Sequence, residues 1–579
     1  MSRPDSDWTF RFGEFELDIS AYELRRGGQR VHLERQPMDL LILLIERNRQ
    51  LVSRADIVRR LWGPGVFVNV EMGVNTAIRK LRKALQDSRE SPAFVETISG
   101  KGYRFIAPVN AVFLGRHQEA IESVAVLPFA NDSADPDAEY LSDGIAESLI
   151  NNLSQIRNLR VVARSTVFRF KGRDVDPQKA GNELRVRAVV LGRLLQRDST
   201  LIVRAELMDV ATGAQLWGGQ HRRKVEDVFA LQDDLSKEIS EKLRLKLTSN
   251  ERQRLTRRYT EDAEAYRLYL KGRYHWNKRN AEGLQKAVEY FEQALDKDPS
   301  YSLAYAGLAD TYAYFAFFNV VAPWEAMPKA KIAAVKALEI DKDLAEAHVA
   351  LGYVSFTYDG DWAAAGKHFE QALAFNPAYC RAHTFYPLYL SSLGRSEEAL
   401  EVAKRALDLD PASPAGSHSL AVQLYLAREF DRAIEQAHYT LEMDANFAIS
   451  YVVLGEVYLS KGMYRECLSA LEKYSTLSRG GATLLALLGY SYARLGERNE
   501  ALQMIHELEA ATKQGFAPAL FVALVYAGLE DKDQAFIWLE KASEQRFTRL
   551  AYLKVDALWD PVRTDPRFGD LLRRVGIPA

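Results

Sequence analysis

The stretch ISGKGYRF, residues 98–105, sets Lys101 between Gly100 and Gly102. A lysine flanked by glycines suits phosphate, because backbone without side chains lets an anion approach the ammonium closely. Two phosphates fit that chemistry, a nucleotide held in a P-loop or the backbone of a nucleic acid. A P-loop needs Gly-x-x-x-x-Gly-Lys-Ser/Thr opening a helix. Here a glycine follows Lys101, and the neighbouring FVETIS (94–99) and YRFIAP (103–108) predict two short strands joined by a tight turn. The nucleotide reading fails at that point.

The residues upstream supply the rest of a basic surface. VNTAIRKLRKALQD (74–87) predicts a helix with Val74, Ile78, Leu81 and Leu85 on one face. Its other side carries Asn75, Thr76, Arg79, Lys80, Arg82 and Lys83. Between residues 75 and 104 seven basic side chains stand against three acidic ones, a local +4 in a chain whose formal net charge is -2. Two earlier helices are predicted over 37–48 and 53–63, the second with Ser53 as N-cap. Before them, WTFRFGEFELD (8–18) and a hairpin around Gly27-Gly28 (22–33) predict antiparallel strands.

Leu33, Leu40-Leu41, Val52-Ser53-Arg54, Leu61-Trp62, the run Ile78 to Leu85 and Thr97 through Phe105 together resemble the OmpR/PhoB-type winged helix over residues 8–108. That resemblance implies double-stranded DNA as partner, with the third helix in the major groove and the hairpin wing at the neighbouring minor groove. It places Asn75, Thr76, Arg79 and Lys80 at base edges, Arg79 toward a guanine. It places Arg82, Lys83 and Lys101 on phosphates and Arg104 in the minor groove. The bland alternative is a solvated helix face. The family often opens its first helix with Thr-x-x-Glu; Glu34 and Pro37 stand there instead, and proline suits a first turn.

The second half of the chain repeats itself. Ala365, Ala399, Ala433, Cys467, Ala501 and Ala535 are each 34 residues apart, and AVEYFEQALDKDP (287–299) recurs as AGKHFEQALAFNP (365–377). Small residues where paired helices cross, with proline after the second helix, resemble the tetratricopeptide repeat, here about eight copies over 262–579 with a capping helix near 558–578. Such an array implies a groove for a protein or peptide partner. Tyr353, Phe356, Arg381, His418, Tyr425 and Tyr490 fall on the groove side by the repeat pattern, or else pack between repeats. The spacing of His348, His383 and His418 is compatible with a pH-sensing row, though packing is the expected role.

Residues 121–250 have a third texture. Strands are predicted at 123–129, 159–165, 187–196, 200–213 and 215–223, with helices at 142–156 (Ser142 as cap) and 225–247. The order suggests a mixed α/β domain and resembles the TolB N-terminal-like domain, which also accompanies some bacterial adenylate cyclases. A basic linker follows at 250–260. The acidic 131–144 segment lacks calcium-loop spacing and holds Pro136.

A multidomain, mostly α chain of 579 residues results: winged helix, mixed α/β domain, all-α repeat solenoid. Two cysteines far apart fit a reducing cytoplasm. No apolar run reaches the roughly 20 residues of a membrane span, so no membrane association is expected. No metal spacing, cofactor motif or catalytic constellation is visible, and no enzyme is expected. The arrangement resembles one-component regulators of the CadC/ToxR type without their membrane helix. A cytoplasmic, sequence-specific transcriptional regulator is the expectation, with repeats for partner or effector binding and two copies on tandem half-sites for affinity. The alternatives are a repeat scaffold whose winged helix contacts protein, and a cyclase-associated signalling protein.

Overall fold

The computed structural model describes residues 8–578 apart from 20–21, 63–69, 114–120, 134, 157, 174, 244–247, 249–257, 319, 479–480 and 515–518. The chain divides into two compact units, 1–119 and 120–579, each taken here by itself. Most of the predicted basic linker lies outside the described residues.

The first unit opens with strands β1 (Trp8–Phe12), β2 (Phe15–Asp18), β3 (Glu23–Arg26) and β4 (Gln29–Val31). They form an antiparallel sheet in the order β4-β3-β2-β1-β8, where β8 is Asn110–Phe113. Gly27 and Gly28, both at positive φ, make the two-residue turn between β3 and β4. Three helices follow: α1 (Arg35–Glu46), α2 (Arg54–Trp62) and α3 (Val70–Leu85). Strand β5 (Val52–Ser53) pairs with β7 (Gly102–Phe105), which pairs with β6 (Val95–Ile98), giving the wing. Leu40, Leu41, Leu44, Val74, Ile78, Leu81 and Leu85 are buried with Phe12, Phe15 and Phe105 in one core. The 3.6-residue spacing of α3 is therefore the spacing of its buried stripe.

The second unit begins with a sheet in the order β11-β9-β12-β13-β14, with β10 beside β12. Its strands are β9 (Ser123–Val126), β10 (Ala130–Asn131), β11 (Arg160–Val161), β12 (Ala188–Arg197), β13 (Thr200–Asp209) and β14 (Gln215–Lys224). The helices are α4 (Glu139–Ser154), α5 (Arg164–Val167), α6 (Pro177–Glu183) and α7 (Val228–Lys242). Ser142 is not the cap of α4: the helix starts a turn earlier, and the Ser142 hydroxyl donates back to the Glu139 carbonyl at 2.9 Å. The strand predicted over 159–165 is cut to two residues, because the chain turns into α5.

Among the described residues eight helix pairs follow, from Ala263–Trp276 with Ala281–Lys297 to Ala519–Gly528 with Lys532–Glu544. The small residues at the crossings have a steric cause. A Cβ at Gly272 or Gly307 would sit 2.5 or 2.7 Å from the ring of Phe291, so only glycine admits that phenylalanine between the helices.

The α/β layer and the array share one core. Tyr266, Leu270, Tyr301 and Ala304 of the first repeats pack with Leu149, Leu231 and Leu235 of α4 and α7. Glu147 on α4 accepts from Arg273 at 2.6 Å and from Asn277 at 2.9 Å, and pairs with Arg164 at 2.7 Å. Burial raises the Glu147 carboxyl, but Arg273 and Arg164 outweigh it and hold the group below the usual carboxylate range. Further along, Asp410 accepts from the Thr166 hydroxyl at 2.6 Å and the Ala163 N–H at 3.2 Å.

Candidate nucleic-acid interface

The exposed side of α3 and the wing are positioned by a small set of polar ties. Ser53 caps α2 reciprocally: the Asp56 N–H donates to Ser53 Oγ at 3.1 Å, and the Ser53 N–H donates to the Asp56 carboxylate at 3.3 Å. Asp87, just past α3, accepts from the N–H groups of Ala93 at 2.7 Å and Val95 at 2.8 Å, which fixes where the wing leaves the helix. In the wing, Gly102 has φ +153, and a Cβ there would lie 2.1 Å from the Val52 carbonyl oxygen. Only glycine lets β7 approach β5, which is the structural reason for the second glycine beside Lys101.

Among the residues singled out from the sequence, Asn75, Arg79, Lys80 and Lys83 are exposed on α3, and Lys101 is exposed at the wing tip. Thr76 is half-buried and its hydroxyl donates to the Met72 carbonyl at 2.7 Å. Arg104 is half-buried and lies 3.6 Å from Glu96 across the hairpin. Lys80 donates to both carboxylate oxygens of Glu34 at 2.7 Å. Glu34 stands at the N-cap of α1 and makes no cap hydrogen bond there, so its carboxylate is spent on Lys80 instead.

Arg82 is corrected. It does not stand on the solvated face: it is 9% exposed and donates to the Val95 carbonyl at 2.7 Å and Thr97 Oγ1 at 2.9 Å. Its position in the helix turns it toward β6, and a buried guanidinium must be paired. It ties α3 to the wing through those two contacts.

Sequence reasoning missed Tyr103 and underused Arg54. Buried Tyr103 donates its hydroxyl to Asn75 Oδ1 at 3.1 Å, and the Arg54 guanidinium lies 5.7 Å from its ring centre. Asn75 is thus held by the wing with its amide nitrogen left as a donor. The inward phase of Tyr103 in the alternation Tyr103-Arg104-Phe105 was the signal for it.

The repeat groove also needs correcting. Tyr353, Phe356, Arg381, Tyr425 and Tyr490 are buried. Their cover is partly the chain's own C-terminal segment. Phe356 meets Tyr552 with ring centres 6.4 Å apart, Tyr425 donates to Asp556 at 2.5 Å, and Arg549 donates to Glu456 at 2.7 Å. Arg381 forms an ion pair with Asp310 and lies over the rings of Tyr314 and Phe385. Tyr490 packs against Gly528 of the next repeat. His418 is half-buried beside Phe447 and Ser450, and burial pulls its imidazole down to about 4.

This architecture is that of a winged helix combined, in one chain, with a mixed-sheet layer and a helical-repeat array. Residues 28–105 match the family described as transcriptional regulatory protein, C terminal, and that segment is an OmpR/PhoB-type winged helix. Residues 119–244 match the second domain of HilA/YgeH-like transcriptional regulators, a match that does not confirm the TolB-like expectation, and residues 388–413 match the tetratricopeptide repeat. The transcriptional regulator HilA of Salmonella typhimurium (strain LT2) is 25% identical over 90% of this chain and 93% of its own length. A putative adenylate cyclase 3 of Rhizobium meliloti (strain 1021) is 36% identical, but the match spans 38% of each chain. The crystal structure of the Klebsiella pneumoniae RstA DNA-binding domain in complex with the RstA box is 30% identical over 17% of this chain and 96% of that one, with a TM-score of 0.16. Among the described residues no helix is long and apolar enough to cross a membrane, and no group of acidic, histidine or cysteine side chains is built to hold a metal.

Proposed function

We propose that this chain is a sequence-specific, DNA-binding transcriptional regulator, acting in the cytoplasm and not as an enzyme. The observation that carries the reading is the surface of α3 and the wing: Asn75, Arg79, Lys80, Lys83 and Lys101 exposed together on a rigidly tied winged helix. The near full-length likeness to HilA supports regulation, whereas the cyclase likeness covers too little of either protein to support catalysis.

In this reading Asn75 and Arg79 meet base edges, Arg79 offering two donors to a guanine. Lys83 and Lys101 neutralise phosphates, Arg104 enters the minor groove, and Lys80 joins them once it leaves Glu34. Thr76 has a weaker claim because its hydroxyl is spent on Met72. Residues 8–108 are the DNA-binding part, and 121–250 with 262–579 form the part that receives a partner or effector. Two copies on tandem half-sites raise affinity above that of one small module.

The test is enrichment of fragments of the source genome by the purified full-length chain at about 0.15 M salt, a level that screens exposed charges beyond about 8 Å. A few fragments sharing one short motif support the reading. Uniform capture of all fragments, or of none, removes it.

A further inference from the structure

The two faces of strand β13 differ. Leu201, Val203, Ala205 and Leu207 point into the core, whereas Arg204 and Glu206 are exposed and Thr200 and Ile202 half-buried. The pairing register carries that outer face onto both neighbours. Arg193 stands opposite Arg204 and Arg197 opposite Thr200 on β12, while Arg222 stands opposite Ile202 and Lys224 opposite Thr200 on β14. Arg193, Arg197, Arg204, Arg222 and Lys224 are all exposed. Five cations thus share one face of three strands, with the Cα atoms of adjacent ones about 5–8 Å apart.

The charges on this face do not cancel. Its carboxylates are Glu206, Asp132 at 3.4 Å from Arg193, and Asp198 in the turn after β12. Of the five cations only Arg193 has a carboxylate within ion-pair reach among the described residues, and Arg204 donates to the Gln220 carbonyl at 2.9 Å. Like charges directly opposite on paired strands cost stability, and Arg193 facing Arg204 is that arrangement. A polyanion laid over the face offsets the repulsion. The face also carries no aromatic ring, because Trp217 and His221 turn the other way, toward Glu238 on α7. It therefore offers neither a stacking platform for single-stranded bases nor the aromatic anchors of a protein interface. Arginine, four of the five cations, suits phosphate through its planar fork of donors.

We propose that this sheet face is a second DNA contact, which takes the phosphate backbone of duplex DNA without reading its sequence. The idea rests on the DNA-binding reading for its choice of partner. It adds affinity that is independent of sequence, and α3 with the wing keeps the discrimination.

The test uses the full-length chain carrying Arg79→Ala, Lys83→Ala and Lys101→Ala, which empties the winged-helix surface. A random-sequence duplex of about 20 base pairs is titrated into it across a salt series centred near 0.05 M, low enough for non-specific contacts to be measured. Duplex binding should persist. Adding Arg204→Gln and Arg222→Gln should weaken it at least about tenfold and make the salt slope shallower by about two, since each phosphate contact contributes about 0.9. Arg204→Lys with Arg222→Lys, which keep the charge, should keep the slope. Single-stranded DNA and polyglutamate should bind more weakly than duplex at equal charge concentration. The proposal is overturned if no binding remains once the winged helix is emptied, or if the glutamine pair leaves affinity and slope unchanged. It is overturned equally if the lysine pair loses as much slope as the glutamine pair, or if single strand or polyglutamate matches the duplex. Loss of fragment selectivity in the natural chain would instead remove the regulator reading and leave this slope difference readable.

Discussion

Two basic residues a turn apart on α3 have different jobs. Arg79 is exposed, whereas Arg82 is buried and holds the wing through Val95 and Thr97. Arg82→Met should lower the unfolding midpoint of the winged helix, since stranding the Val95 and Thr97 acceptors costs about 1–3 kcal/mol. Its salt dependence of DNA binding should be unaltered where the protein is folded; a slope shallower by about one would mean that Arg82 does reach a phosphate. Glu34 makes a prediction of the opposite sign. It now holds Lys80 at 2.7 Å, so Glu34→Gln should strengthen binding to random-sequence DNA and steepen the salt slope by up to about one. Unchanged non-specific affinity would mean that Lys80 stays off the DNA. His418 belongs to this scale too: with its imidazole pulled to about 4 by burial, unfolded chain takes up a proton before folded chain does. Its contribution is intact above the ordinary histidine value near 6.5 and lost as pH falls toward 4. Thermal melts of the natural chain and His418→Gln should therefore differ most in how steeply stability falls across that window. Parallel curves would contradict it.

At the scale of elements, the C-terminal segment does more than its sequence announces. LWDPVRTDPRFGDLLRRVGIP, read as a capping helix, holds the helix Pro566–Arg574, whose Arg567 and Arg574 pair with Asp533 and Glu540 of the last repeat helix, while the preceding Arg549, Tyr552 and Asp556 reach back to Glu456, Phe356 and Tyr425. Deleting residues 547–579 should uncover large aromatic surface, raising fluorescence of an apolar-surface dye and lowering the melting midpoint. An unchanged midpoint with no dye binding would show that the segment covers nothing. The periodic elements were legible beforehand: the buried stripe of α3, the turn at Gly27-Gly28 and the 34-residue helix pairs are local patterns, and local patterns survive in one sequence. What was not legible depended on long-range pairing. Tyr353 and Tyr425 look alike whether a groove is open or filled, because the covering residues are roughly 130 to 200 positions away. Arg82 looked like its basic neighbours because its partners, Val95 and Thr97, lie across a turn. Ser142 had a cap's chemistry, but the chain was already helical at Glu139.

For the molecule as a whole, the decisive joint is between the α/β layer and the array. Glu147, Arg164 and Arg273 are largely buried there, and the apolar residues of both parts form one core. Breaking one member of a buried charge group leaves another uncompensated, at a cost of about 3–5 kcal/mol. Residues 120–579 should accordingly melt in one main transition, and Arg273→Met should split it; two transitions in the natural chain would mean that the joint is weak. The central claim concerns the other unit, and a single comparison tests it most directly. Affinity for an enriched genomic fragment and for a scrambled one is measured over a salt series for the natural chain, Arg79→Ala and Lys101→Ala. The prediction is that Arg79→Ala loses about 1–3 kcal/mol of discrimination, while Lys101→Ala weakens both fragments alike with a slope shallower by about one. If both variants keep the natural chain's discrimination and slope, α3 and the wing are not the DNA-reading surface and the account is wrong.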